Sequence, residues 1–194
     1  DCANQLSNVR KEIAKEMQEE MIQVMKTLDL EHTKFDINFE KNDTFLDHGL
    51  DLISFFISLN EGEPLKPLHK VASGGERARF MFALKTTAAK HHGVSLLILD
   101  EIDTGVSGKT AAKVATHMGQ LSKELQLIVI THLPQVAAKA DYHILVEKVL
   151  QDSRMITQIN YLTGDDRIKA IAYMLSDETM SQHAIEQAKV MIKK

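Results

Sequence analysis

Leu96-Leu97-Ile98-Leu99-Asp100-Glu101 is an uninterrupted apolar run that ends in two adjacent acids. A run without polar alternation marks a strand covered on both faces, as in parallel sheets with helices above and below. A second such run, Leu127-Ile128-Val129-Ile130, ends in Thr131-His132. Residues 108–124 between them carry a helical pattern, so strand, helix and strand form a right-handed parallel unit. The fold class is therefore α/β, with a parallel core sheet flanked by helices. In open parallel sheets ligands sit beyond the carboxyl ends of the strands, where loops and helix N-termini converge. Asp100, Glu101 and His132 all fall at such ends.

Upstream of the first run, residues 76–92 are strong helix formers, and Phe80, Met81, Ala83, Leu84, Thr87 and Ala88 give a wide apolar face suited to a largely buried helix. Gly93 follows as its cap. Pro64 and Pro67 keep the preceding connection extended and deliver the chain to Ser73-Gly74-Gly75-Glu76. Further back the period is two: Phe35, Ile37 and Phe39 alternate with polar residues, as do Ile53, Phe55, Ile57 and Leu59, which predicts two half-buried strands. From Asn4 to Leu28 the residues are charged and free of Gly and Pro, with Leu6, Val9, Ile13, Met17, Met21, Val24 and Leu28 in one stripe. That stripe suits either an amphipathic helix packed on its own domain or a coiled-coil stub with a stutter at Ile13, Met17 and Met21. Downstream, residues 142–149 and 156–162 predict two strands joined at Gln151-Asp152-Ser153-Arg154, and two amphipathic helices close the chain.

A chain of 194 residues, 44% hydrophobic, can bury a core of its own without disulfides. Its lone cysteine, Cys2, has no intramolecular partner, and no apolar run is long enough to cross a bilayer. A cytoplasmic setting and no membrane partner are expected. The net charge of -4 lacks the broad positive field of most nucleic-acid-binding surfaces, so any DNA contact is local or lies elsewhere. The first residue is Asp1 and the opening residues already have a mid-helix pattern, which suggests a segment of a longer polypeptide.

Adjacent acids at the end of a buried strand are costly unless a cation or hydrogen bonds compensate them, and Mg²⁺ with a phosphate is a common compensation. Ser73-Gly74-Gly75-Glu76 at a helix mouth offers clustered N–H donors along a positive dipole end, a geometry that accepts phosphate. Taken alone, the same four residues also suit a plain helix start with a serine cap and an acid in the first turn. His91-His92 at a helix end suits the helix dipole, and the nine methionines read as core filler.

The order of these elements resembles ATP-binding-cassette ATPases: Ser73 to Glu76 is similar to their signature loop, Leu96 to Glu101 to their Walker B strand, and His132 to their switch histidine. Val71-Ala72-Ser73-Gly74-Gly75-Glu76, Asp100-Glu101-Ile102-Asp103-Thr104-Gly105-Val106-Ser107-Gly108 and Thr131-His132-Leu133-Pro134-Gln135-Val136-Ala137-Ala138 more closely resemble the bacterial RecN family of SMC-like repair proteins. The resemblance implies residues 1–29 as a helical stub of a coiled coil and residues 30–194 as the C-terminal half of a P-loop ATPase head. It implies ATP and Mg²⁺ as cofactors, with Asp100 holding the metal through water, Glu101 activating the attacking water and His132 on the γ-phosphate. Ser73, Gly74, Gly75 and Glu76 would meet a nucleotide held by a second copy of the head, and Asp103 would contribute from the loop after Walker B. It also implies recombinational repair of DNA double-strand breaks, contact with DNA through the full-length protein, and a nucleoid-associated location in a bacterium.

Two stretches depart from the pattern. Arg77-Ala78-Arg79 stands where the family usually has Leu-Ser-Arg, and Ser107 where other SMC-like heads have aspartate. No Gly-x-x-x-x-Gly-Lys-Ser/Thr occurs in the chain, so the phosphates lack a cradle and this segment alone is expected to be inactive. An N-terminal half of the same head would supply that loop. Other readings are the nucleotide-binding part of a transporter and a non-catalytic dimerisation module.

Overall fold

Helix α1 (Cys2–Thr27) leads into a long antiparallel hairpin, β1 (Lys34–Leu46) and β2 (Gly49–Ser58), to which a two-residue strand β3 (Lys66–Pro67) is added. The computed structural model describes residues 1–71, 74–100, 106, 108–176 and 180–192. Ser73, Glu101, Asp103 and Ser107 lie outside them.

The stripe on α1 divides along its length. Met21, Met25 and Leu28 are fully buried, whereas Leu6, Val9 and Ile13 are 41%, 50% and 57% exposed. Each fully buried apolar side chain contributes about 1.5–3 kcal/mol, so the last turns of α1 are part of the core and the first turns are not. The hairpin pairs Phe35 with Ile57, Ile37 with Phe55 and Phe39 with Ile53, which keeps the expected apolar positions on one face. It also runs further than the alternation suggested and braces α1 near its start. There the buried Asp51 accepts hydrogen bonds from Ser7 Oγ at 2.7 Å and Arg10 Nη1 at 3.0 Å. The Ser7 hydroxyl first, and Arg10 with it, hold the Asp51 carboxyl below the usual carboxylate range.

A short 3₁₀ turn (Leu68–Lys70) precedes helix α2 (Gly74–His91). Its buried side is Phe80, Phe82, Ala83, Thr86, Thr87 and Ala89, with Met81 and Leu84 half-buried at its margins. The helix stops in a Schellman turn. Gly93 takes φ +61, Val94 N–H donates to Ala89 O at 3.2 Å and Gly93 N–H to Lys90 O at 3.4 Å. His91 pairs with Glu20 of α1, and Lys90 reaches the same carboxylate at 3.6 Å, so this helix end is tied to α1 rather than merely to its own dipole.

Strand β4 (Leu96–Asp100), helix α3 (Gly108–Leu121) and strand β5 (Gln126–Ile130) form the expected parallel unit, with Leu97 beside Leu127, Leu99 beside Val129 and Asp100 beside Ile130. One expectation is corrected here. Leu97, Leu99, Leu127 and Val129 face the core, but Leu96, Ile98, Ile128 and Ile130 on the other face are 41–58% exposed. The helices of the described chain cover one side of this sheet only. The apolar run needs two covers, and one of them is not supplied by these residues.

After a single-turn helix α4 (Pro134–Ala137), strands β6 (His143–Gln151) and β7 (Arg154–Leu162) make a second hairpin. Its two-residue loop has positive φ at both Asp152 (+48) and Ser153 (+62), the type I′ geometry that matches strand twist. One face of this hairpin carries Ile144, Val146 and Leu150 opposite Tyr161, Ile159 and Met155, all exposed. Helices α5 (Gly164–Leu175) and α6 (Gln182–Ile192) pack together through Ile171, Ala172, Ala184 and Ala188 against Ala137 and Ala138.

His117 on α3 lies edge-on to Phe82 at 5.5 Å, and burial pushes its pKa below 6.5. A histidine kept neutral by folding binds its proton more readily when unfolded, so its contribution is complete above the unfolded pKa and is lost as pH falls through the folded one. Thermal melts between pH 7.5 and pH 5 should therefore lose less stability in His117→Gln than in the wild type.

Candidate nucleotide-facing site

The carboxyl ends of β4 and β5 lie side by side, because Asp100 pairs with Ile130. Asp100 is the last residue of β4 and is exposed, and by strand alternation it shares the open face with Ile98 and Ile130. His132 follows β5 by two residues and is also exposed. The backbone beside it is shaped by Thr131, whose Oγ1 accepts the N–H of Leu133 at 3.0 Å, and by Pro134, which starts α4. Arg167 of α5 holds the far end of this loop, donating through Nη2 to Ala138 O at 3.2 Å and to Ala140 O.

Helix α2 begins at the same end of the sheet. Phe82 of α2 meets His117 of α3, and further along Ala89 clusters with Leu121 and Leu125, so the two helices run in the same direction. Because α3 begins at Gly108, eight residues beyond Asp100, and returns to the start of β5, both helices start on the carboxyl side of the strands. Gly74, Gly75 and Glu76 form the first turn of α2, so their backbone N–H groups sit at its positive end. Glycine leaves that turn open, and a Cβ built on Gly74 meets nothing within 4 Å.

Of the expected site residues, the structure thus brings Gly74, Gly75, Glu76, Asp100 and His132 to one end of the fold. Ser73, Glu101 and Asp103 lie outside the described residues, although each is next in sequence to, or within three residues of, one that is described. The donor chemistry suits Mg²⁺ held by one hard carboxylate, water and phosphate oxygens. Among the described residues no group of three or more His, Cys, Asp or Glu is placed to hold a metal by itself, so the phosphates would have to complete the set.

One residue escaped the sequence reading. Asp29, at the turn that ends α1, accepts hydrogen bonds from Thr110 Oγ1 at 2.8 Å and Lys113 Nζ at 2.5 Å, both in the first turns of α3. The Lys113 and Thr110 hydrogen bonds hold the Asp29 carboxyl below the usual carboxylate range, and Asp29 in turn raises the Lys113 pKa. The available signal was an aspartate directly after Leu28, where a helix end more often has glycine or asparagine.

No family model matches the chain. It is 40% identical over 191 residues to the DNA repair protein RecN of Halalkalibacterium halodurans, a match covering 96% of this chain and 34% of that protein. The chain spans about a third of the length of the curated relatives it matches. Among solved structures, the Smc head domain with a coiled coil and joint from Pyrococcus yayanosii superposes with a TM-score of 0.70 at 20% identity, covering 88% of this chain and 31% of that one. A chain from work on ATP-driven dimerization and DNA stimulated activation of SMC ATPases superposes at 0.62 and 19% identity, covering 89% of this chain and 99% of that one. The chain belongs with the RecN proteins, as a segment of about a third of their length, and has the fold of the corresponding lobe of an SMC head.

Proposed function

We propose that this chain is the C-terminal half of an ATP-hydrolysing head, with residues 1–29 as a coiled-coil stub and residues 30–194 as the head half, in a protein that repairs DNA double-strand breaks by recombination. The observation that carries the proposal is the open face of the β4–β5 sheet. Asp100 projects from the face on which Leu96, Ile98, Ile128 and Ile130 are uncovered, so whatever covers that apolar surface also faces the carboxylate. An N-terminal half of the same head, bearing the phosphate-binding loop, fits both needs. The uncovered face of the β6–β7 hairpin supports the same reading, since a two-stranded ribbon is marginal without a packed face.

When bound, Mg²⁺ with ATP would supply the reactive phosphoryl group and neutralise its charge. Asp100 is a hard donor suited to orient the metal's water, and Glu101, one residue on, is placed by sequence to take a proton from the attacking water. His132 contributes a donor from the end of the neighbouring strand. The glycine amides of α2, with Ser73 before them and Glu76 in the same turn, form a separate anion-accepting surface for the γ-phosphate on a second head, and Asp103, two residues after Glu101 in sequence, would contribute from the loop that follows. Phosphoryl transfer demands positioning and charge neutralisation above all, so such parts can be divided between two molecules that close on ATP.

The test pairs this chain with the P-loop-bearing half. Turnover should appear in the reassembled head and be absent from the chain alone. Ser73→Arg should abolish nucleotide-dependent dimers, because a bulky cation would take the place of the γ-phosphate, while leaving ATP binding to the reassembled head intact. Light scattering with and without a non-cleavable analogue measures this. Wild-type dimerisation by the variant would overturn the two-molecule site.

A further inference from the structure

Asp29 sits where a carboxylate is locally unwelcome. It occupies the left-handed region at φ +59, two positions after the last residue of α1 and directly after the capping Leu28, where Leu30 N–H donates back to Met25 O at 3.0 Å. Helix ends of this shape favour glycine, because a Cβ is strained there. A negative charge also opposes the carbonyl end of the helix dipole. Backbone and dipole together would favour another residue, so the carboxylate is explained by what it reaches, namely Thr110 and Lys113. Arg79, one turn into α2 from the glycine amides, adds a further favourable charge on the same carboxylate. The turn at Asp29 therefore faces the beginning of α3, one of the two helices that start at the nucleotide-facing end.

Three described residues bracket Glu101 and Asp103 in the chain. Asp100 is fixed in the sheet, Val106 is buried in the main core, and Gly108 starts α3. The helix that begins at the last of these is the one that Asp29 grips, through Thr110 and Lys113. We propose that Asp29 is a positioning residue for the nucleotide site: its carboxylate ties the end of α1 to the first turn of α3 and so sets where the segment after Asp100 rejoins the fold. The proposal rests on the ATP-hydrolysing reading above. It also makes α1 a mechanical neighbour of that site, since Glu20 on the same helix grips the far end of α2 through Lys90 and His91.

Glycine gives a clean test, because it suits the backbone of this turn and removes only the carboxylate. In the full-length protein, Asp29→Gly should melt at or above the wild-type temperature, yet show kcat for ATP reduced about fivefold with KM unchanged. Lys113→Ala should reproduce the kcat loss from the other side of the contact. Asp29→Asn tolerates the left-handed turn and can still accept from Thr110, but it turns an amide N–H toward the Lys113 ammonium and should share the kcat loss of Lys113→Ala. Amide exchange of residues 108–113 should quicken in Asp29→Gly whether or not ATP is turned over. Wild-type kcat in Asp29→Gly, or unchanged exchange at those amides, overturns the proposal. Absence of turnover in the wild-type protein, or full turnover in Glu101→Gln, overturns the ATPase reading instead, so the two ideas fail separately.

Discussion

Glu101→Gln in the full-length protein is expected to lower ATP turnover by about 100-fold or more, the usual scale for losing a general base, while dimers held by ATP persist or accumulate. The amide keeps the size and hydrogen-bonding reach of the carboxylate and loses only its basicity, so nucleotide binding and head contact should be unaffected. Steady-state phosphate release and size-exclusion chromatography in the presence of ATP separate the two effects. Loss of dimers together with turnover would show that Glu101 serves binding rather than water activation. The neighbouring Asp100 should behave differently, because Asp100→Asn weakens a metal donor and should reduce dimers as well.

Phe80→Ala should be the most damaging single truncation in the core, costing about 3–5 kcal/mol, the range for deleting a buried aromatic ring. Phe80 has no exposed surface, its ring lies 5.3 Å from Phe35 on the first hairpin, and it shares a cluster with Met21 and Met25 of α1 and Leu99 of β4. It is thus where helix α1, the hairpin and the parallel unit meet, and a cavity there cannot be closed by moving one element. Chemical denaturation would measure the loss. A change near 1 kcal/mol would mean that these units settle around the gap.

Much of the architecture was legible because it is written in local periods. The parallel pair, the alternation in both hairpins, the glycine stop at Gly93 and the turn at Asp152-Ser153 each follow from a few adjacent residues. What failed to show was anything settled by a distant surface. Leu6, Val9 and Ile13 carry the same stripe as Met21 and Leu28, yet only the latter meet a core, since nothing in a helical period says where the neighbouring layer ends. Likewise Ile98 and Ile128 are as apolar as Leu97 and Leu127, and the pattern records that both faces need cover without recording which molecule supplies it. For the proposed site, strand ends and a glycine-rich helix start were enough to predict that Asp100, His132, Gly74 and Gly75 share one end of the fold, because strand and helix ends follow topology. Asp29 was missed because its partners are more than 80 residues away in the chain.

Helix α1 spans 26 residues, or about 39 Å at 1.5 Å per residue, and is most deeply embedded in its final turns, with Ala14 the one other buried position along it. It therefore behaves as a lever: a tilt of about 10° at the Leu28 end would carry its first turn through roughly 7 Å, given that length. Because Asp51 clasps Ser7 and Arg10, the β1–β2 ribbon travels with the rod as a stay, so a pull on the tip arrives at the fulcrum as rotation instead of being spent in bending the helix.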